Sequence, residues 1–351
     1  MHMADALLSP ATAAVMYAAS ATAAGVSISR LRKQNDPEKL PVMAVSAAMI
    51  FAGQMINYTI PGTGSSGHLC GGMLLSALLG PEAGFLSMIA VLTIQCLFFA
   101  DGGLMALGAN IWNMAFYGCF IGYYLIWRPV NTGNLFSRRT SHAGQRLCIM
   151  LASVLGCVLT LQMGAFSVTL ETLLSGITEL PFGAFLGLML PIHLAIGLVE
   201  GLITSAVLLF VYETRHELLK DVSKNKEADA KMTLKGVIAS LALITAITGG
   251  GLSLLASGNP DGLEWALFGN AEEGYAANMA LDEENYGLSS TVSDTAASIQ
   301  ESTSFLPDYA FKDSDSAMGT TVSGLAGSAI VAGVCLLIAS AAGMYRKRTV
   351  N

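Results

Sequence analysis

Eight apolar runs of roughly twenty residues constrain this chain more than any other feature, because a helix of that length matches the thickness of a bilayer's hydrocarbon core. They occupy residues 7–26, 41–57, 83–99, 104–127, 147–170, 184–211, 234–256 and 322–344, and a shorter run, 68–79, follows a glycine-rich loop. In lipid each backbone N–H and C=O has to be paired within its own segment, so such runs read as helices. Charged residues make up only 12% of the sequence, against roughly a quarter in soluble domains, which argues against an ordinary water-soluble fold. The expectation is an all-α integral membrane protein with about nine crossings: a bundle of about seven transmembrane helices and a C-terminal two-helix hairpin.

The basic residues give this arrangement a direction. Arg30, Arg32, Lys33 and Lys39 share one loop, and Arg128, Arg138, Arg139 and Arg146 another. Lys220, Lys224, Lys226, Lys231 and Lys235 crowd a third, and Arg346, Lys347 and Arg348 lie at the C-terminal end. Alternating crossings put all four clusters on one face, which the positive-inside rule makes cytoplasmic. The N-terminus, the glycine loop, Asp101 and residues 257–320 are then expected outside. That last segment carries twelve acids against the single Lys312. A basic patch interleaved with aromatics is missing, so nucleic acid is not an expected partner, while membrane lipid is. The six cysteines lie inside apolar runs without a C-x-x-C and read as small core residues.

Three parts follow: residues 1–215, a charged cytoplasmic linker at 216–231, and residues 232–351 around the acidic external loop 257–320. Within that loop Pro260-Asp261-Gly262 reads as a turn, and the Ser/Thr/Ala-rich stretch 289–304 as mobile. The small residues of "YAASATAAG" (17–25) and "GLAGSAIVAG" (324–333) suit close helix packing.

The loop "PGTGSSGHLCGG" (61–72) spells G-x-G-x-x-G at Gly62, Gly64 and Gly67, with Glu82 twenty residues beyond Gly62. A dinucleotide site needs a βαβ unit around such glycines, whereas here membrane helices flank them. Their simpler role is to let the backbone bend, carrying His68. Of the five histidines, His142 and His216 lie in basic cytoplasmic stretches and read as solvated. His193 precedes Glu200 by seven residues on one helical face, which makes either an intramembrane ionisable pair of functional meaning or a packed hydrogen-bonded one. His2 stands in a position of its own. A terminal amine, the next backbone nitrogen and the imidazole at position two can chelate one ion in fused rings. A further imidazole from His68 completes four nitrogens in a plane, a set suited to Ni2+ or Cu2+ rather than to zinc or magnesium. A cleaved signal peptide is not expected, since no positive charge precedes the first apolar run and Asp5 stands where one belongs.

Several stretches together carry a family resemblance. "MHMADALLSP" resembles the start of the CbiM/NikM family, the substrate-binding S-components of energy-coupling factor (ECF) transporters for nickel and cobalt. "GTGSSGHLCGGMLLSALLGPEAGFLSM", "LFFADGGLMALGANIWNMAF" and "IHLAIGLVEGLIT" match further stretches of it in order over residues 1–213. "NPDGLEWAL" resembles the small N component, fused here to the chain. The resemblance implies metal ligands at the Met1 amine, the His2 backbone nitrogen and imidazole, and His68. Asp5, Asn57, His193 and Glu200 are candidate supports behind them. Met3-Ala4 replaces the family's common Ile-Pro, and Ala6 its usual Gly. The resemblance further implies a non-enzymatic, multi-pass component of the cell inner (plasma) membrane with Ni2+ or Co2+ as cargo, not cofactor. Its partners would be separate ECF ATPase subunits and a transmembrane coupling (T) subunit. The rival readings are a proton-coupled secondary carrier of a divalent transition metal and a membrane enzyme. The first would spread ionisable residues through its helices, and the second would need an acid–base constellation.

Overall fold

The long apolar runs do become helices. The computed structural model describes the chain except residues 35–38, 133–140, 223–230, 276–278, 280, 282–285, 313–315, 317 and 342–351. Arg138, Arg139, Lys224, Lys226, the basic cluster at 346–348 and the last part of the 322–344 run lie outside the described residues. The chain runs through α1 (Pro10–Gln34), α2 (Lys39–Gln54), a hairpin of β1 (Tyr58–Ile60) and β2 (Ser65–Gly67), α3 (Gly72–Leu79) and α4 (Pro81–Phe99). A short α5 (Leu107–Asn110) continues without a break into a π-wound stretch, Ile111–Trp127, and α6 (Arg128–Thr132). Then come α7 (His142–Leu174), α8 (Phe182–Arg215), α9 (Leu234–Gly250), α10 (Gly262–Phe268), α11 (Thr291–Thr303) and α12 (Met318–Ala341).

Among the described residues five helices are long and apolar enough to cross a membrane, namely α1, α4, α7, α8 and α12. Two shorter apolar helices, Leu40–Gln54 and Leu234–Gly250, accompany them. The 68–79 run forms only the eight residues of α3, wholly buried and roughly 12 Å long at 1.5 Å per residue. That is less than half a hydrocarbon core of about 30 Å. Gly80, at φ 87°, turns the chain back into α4, whose first residue is Pro81.

The two ends of the bundle differ chemically. At one end Arg30 pairs with Glu82 at 3.1 Å, Arg128 with Asp221 at 3.3 Å, and Arg146 and Lys231 with Glu213 at 3.6 and 3.4 Å. The Lys220 N–H donates to Ala77 O there, closing the linker against the foot of α3. The opposite end collects His2, His68, Asp101 and Asp261 around one cavity. Helices α7 and α8 approach closely because Gly197 and Gly201 face the backbone of Val158 and Val154, where an added Cβ would stand only 2.9 and 2.6 Å from their Cα atoms. Gly249 and Gly324 bring α9 and α12 backbone to backbone in the same way. α12 then lies on α2, with Ser328 Oγ donating to Ala48 O at 3.3 Å.

Two features depart from the sequence expectation. The glycine loop is a short antiparallel hairpin, with Tyr58 opposite Gly67, tied down from outside. The stretch expected to be mobile contains α11, begun by a capping box in which Ser290 and Ser293 satisfy one another's backbone N–H.

Candidate metal site

The N-terminal segment is pinned before it reaches α1. The Met3 N–H donates to Asn110 Oδ1 at 2.8 Å, and Met3 O accepts from Asn110 Nδ2 and from the Gly103 N–H. Asp5 Oδ1 accepts the Ala106 N–H at 2.9 Å. The facing turn can come this close because Gly102 has φ 77°; a Cβ there would stand 2.9 Å from Asn110 Nδ2 and 3.1 Å from the His2 Cβ. Asp5 is therefore a clamp for the segment rather than a partner of His2.

His68 follows directly on β2. Its Nδ1–H donates to Leu69 O at 3.0 Å, which leaves the Nε2 lone pair free to meet the Met1 amine at 3.1 Å. The His2 ring stacks on His68, with centroids 5.1 Å apart and planes 17° from parallel. His2 Nδ1 lies 3.0 Å from Asp101 Oδ1, and Asp101 Oδ2 accepts the Tyr309 hydroxyl. The amine also reaches Asp261 Oδ2 at 2.6 Å. The two segments expected to meet, residues 1–2 and His68, are thus side by side across 67 positions of sequence.

Electrostatics keep the nitrogens in distinct states. Burial, with the neighbouring amine and His2, lowers the His68 imidazole to about 3, so it is neutral throughout the physiological range. Burial opposes charge on the Met1 amine, but Asp261 prevails and holds its pKa above the ordinary value. Burial likewise opposes charge on Asp261 and Asp101. The amine nevertheless holds Asp261 below the usual carboxylate range, and His2 with the Tyr309 hydrogen bond does so for Asp101.

A cavity of about 450 Å³ opens beside these groups and is bordered by His2, Asp5, Asn57, His68, Asp101 and Asp261. Asn57 belongs to its wall, and its carbonyl accepts the Ser257 N–H. His193 and Glu200 are both buried on α8, yet they do not pair. Seven residues of helix separate them by about 10 Å. Glu200 accepts the Cys70 N–H at 2.8 Å and the Gly71 N–H at 2.9 Å, so it braces the backbone just past His68. The His193 Nδ1–H donates to Met189 O at 2.8 Å, and Nε2 is buried with no partner. His193 borders a pocket of about 10 Å³ beneath Met1, His68 and Asp261, too small for more than one water. Among the described residues no group of three or more His, Cys, Asp or Glu side chains is disposed to hold a metal. A metal at Met1 would draw on main-chain nitrogen as well as imidazole.

The sequence reading did not assign a part to Asp261, Tyr309, Gln300 or Asn110. Gln300 Nε2 donates to Gly102 O at 2.6 Å and to Cys96 O at 2.9 Å, so α11 steadies the turn that faces His2. The Pro-Asp-Gly turn was the only local signal for Asp261, and it gave no hint of the residues it meets.

Comparison with known proteins shows which family the chain resembles. Residues 2–218 match the family described as CbiM, cobalt uptake substrate-specific transmembrane region, and residues 235–343 match the PDGLE domain. A relative in Archaeoglobus fulgidus, whose name is that of a fused nickel transport protein NikMN, is 35% identical over 335 residues, 94% of this chain and 95% of its own. The cobalt transport protein CbiM of Sorangium cellulosum is 30% identical over 224 residues, 62% of this chain and 94% of its own. A solved structure, a truncated transition metal transporter, superposes with a TM-score of 0.51 at 33% identity, over 61% of this chain and 99% of the other. With its first 218 residues of that type and a PDGLE domain after them, the chain belongs to the CbiM family of substrate-specific transmembrane regions.

Proposed function

We propose that this protein is the substrate-binding membrane component of an ATP-driven ECF-type importer of Ni2+ or Co2+. The ion is captured by the Met1 amine, the His2 backbone nitrogen, the His2 imidazole and His68 Nε2. The observation that carries this reading is the 3.1 Å approach of the Met1 amine to His68 Nε2, with the His2 ring stacked beside them. Two nitrogens at that separation, each about 2.0–2.1 Å from an ion, subtend roughly 100° at it. That lies between the roughly 90° of a square plane and the roughly 109° of a tetrahedron, so both nitrogens can reach one ion; the planar preference comes from the fused chelate of the first two residues.

In the metal-free protein the amine carries a proton and His2 Nδ1 faces Asp101, so loading displaces that proton and turns the imidazole inward. With its N-terminus outside and its C-terminus in the cytoplasm, the protein presents this site to the exterior of the inner (plasma) membrane. An inside-negative potential favours inward transfer of two charges by roughly 4.6 kcal/mol per 100 mV. Release from so tight a chelate is driven by ATP hydrolysis in separate ATPase subunits, through a transmembrane T subunit. A proton-coupled carrier would need ionisable groups free to exchange protons along its helices. Both oxygens of Glu200 are instead engaged by backbone N–H groups.

The test adds one residue before Met1. This keeps every side chain but converts the terminal amine to an amide and moves His2 out of chelating register. Ni2+ and Co2+ binding to the purified chain is expected to vanish. Binding that survives unchanged places the metal elsewhere and sinks the ligand set.

A further inference from the structure

The ligand nitrogens all come from the first 68 residues, yet the group nearest the amine comes from the C-terminal part. Asp261 Oδ2 lies 2.6 Å from the Met1 amine and 3.8 Å from His68 Nε2. Its aim is fixed by its own helix. Oδ1 accepts the Leu263 and Glu264 N–H groups as the cap of α10, which leaves Oδ2 directed at the amine. The turn is registered on the strand that carries His68: the Ser66 N–H donates to Pro260 O at 2.8 Å, and Ser66 Oγ to Asn259 O at 2.7 Å. Asn270 Nδ2 adds a bond to Gly64 O. On the other side Gly262 packs so closely on α8 that a Cβ would stand 3.1 Å from Ile196 and 3.3 Å from His193.

Charge gives this placement a purpose. In the metal-free site the ammonium and Asp261 sum to zero. A divalent ion bound through one deprotonated amide leaves a net charge of one on buried nitrogens, and burying an uncompensated charge is costly. A carboxylate fixed beside the amine balances the site in both states and accepts an N–H of the coordinated amine. We propose that Asp261 is the counter-charge and positioning residue of the metal site, so that the 232–351 part completes a site built by the first 68 residues. This rests on the ligand set proposed above.

The test uses the full chain, with Ni2+ alone titrated against a competing chelator at one fixed pH. Native protein is compared with Asp261→Asn, Asp261→Glu and the one-residue N-terminal extension. Asp261→Asn is expected to bind Ni2+ at least tenfold more weakly, with Asp261→Glu recovering part of the loss. The visible spectrum at saturation is expected to be the same in each variant that binds, because the four nitrogens are unchanged. Native affinity in Asp261→Asn, with binding abolished by the extension, removes Asp261 and leaves the nitrogen site standing. An altered spectrum at saturation makes Asp261 a direct ligand and overturns the counter-charge role. A loss that Asp261→Glu does not recover, accompanied by a lowered melting temperature, reduces the residue to packing. Unchanged binding by the extended chain removes the nitrogen site, and the role of Asp261 with it.

Discussion

Replacing Glu200 by alanine removes the only acceptors shown for two buried N–H groups, those of Cys70 and Gly71. Glu200 is 1% exposed, so water has no ready way to replace it. Each buried donor left without a partner costs about 1–3 kcal/mol, which gives a destabilisation of about 2–6 kcal/mol for the pair. Because Cys70 lies two residues past His68, the loss loosens the backbone that carries the imidazole and should also weaken Ni2+ binding. Glu200→Gln keeps one acceptor oxygen but turns an amide NH2 toward the other N–H, so its cost is expected to fall between wild type and alanine. Ser205→Ala is the control: one turn further along α8, it removes a hydroxyl bonded mainly within its own helix, to Gly201 O. The assay is unfolding of purified protein in a graded denaturing-detergent series, with a Ni2+ titration beside it. Glu200→Ala and Ser205→Ala unfolding within 1 kcal/mol of each other (roughly one lost hydrogen bond) would refute the bracing role.

Three further outcomes follow from the site's geometry and charge. Gly102→Ala combines an unfavourable left-handed backbone, about 1–2 kcal/mol for an L-residue, with crowding of His2 and Asn110; it should weaken Ni2+ binding more than a Gly→Ala change at the open Gly183, read by the same titration. Ni2+ affinity should rise with pH by about tenfold per released proton per unit below the raised pKa of the amine, with no contribution from His68, which is already neutral above about 3; a pH-independent affinity between pH 6 and 8 contradicts this. In the metal-free protein the amine pKa is raised, so its stabilisation is full below the ordinary 8.0 and lost as pH climbs through the raised value, while the depressed Asp261 contributes above the ordinary 3.8 and loses its contribution on acidification. Melting temperatures of the metal-free chain should therefore show a plateau between those limits, and Asp261→Asn should lower it and weaken the fall on either side.

The sequence by itself determined the parts that depend on local composition. Long apolar runs become helices because a helix pairs its own backbone in lipid, and α1, α4, α7, α8 and α12 follow them closely. His2 and His68 stood out because so few histidines occur and because a position-two imidazole has a chelating geometry fixed by covalent bonds. Long-range placement was beyond it. Asp261 reads as a turn residue and Glu200 as one half of a pair with His193. Whether a carboxylate meets an amine 260 positions away, or two backbone N–H groups 130 and 129 positions away, is decided by how α8, the hairpin and α10 pack. Segments 289–304 and 61–67 illustrate the same limit. The first is rich in Ser and Thr and the second in Gly, so local preference is weak; contacts with the turn at Gly102 hold the first as a helix, and Pro260 holds β2 at the end of the second. Local chemistry singled out the nitrogens proposed as ligands; tertiary packing supplied the carboxylates and the clamps around them.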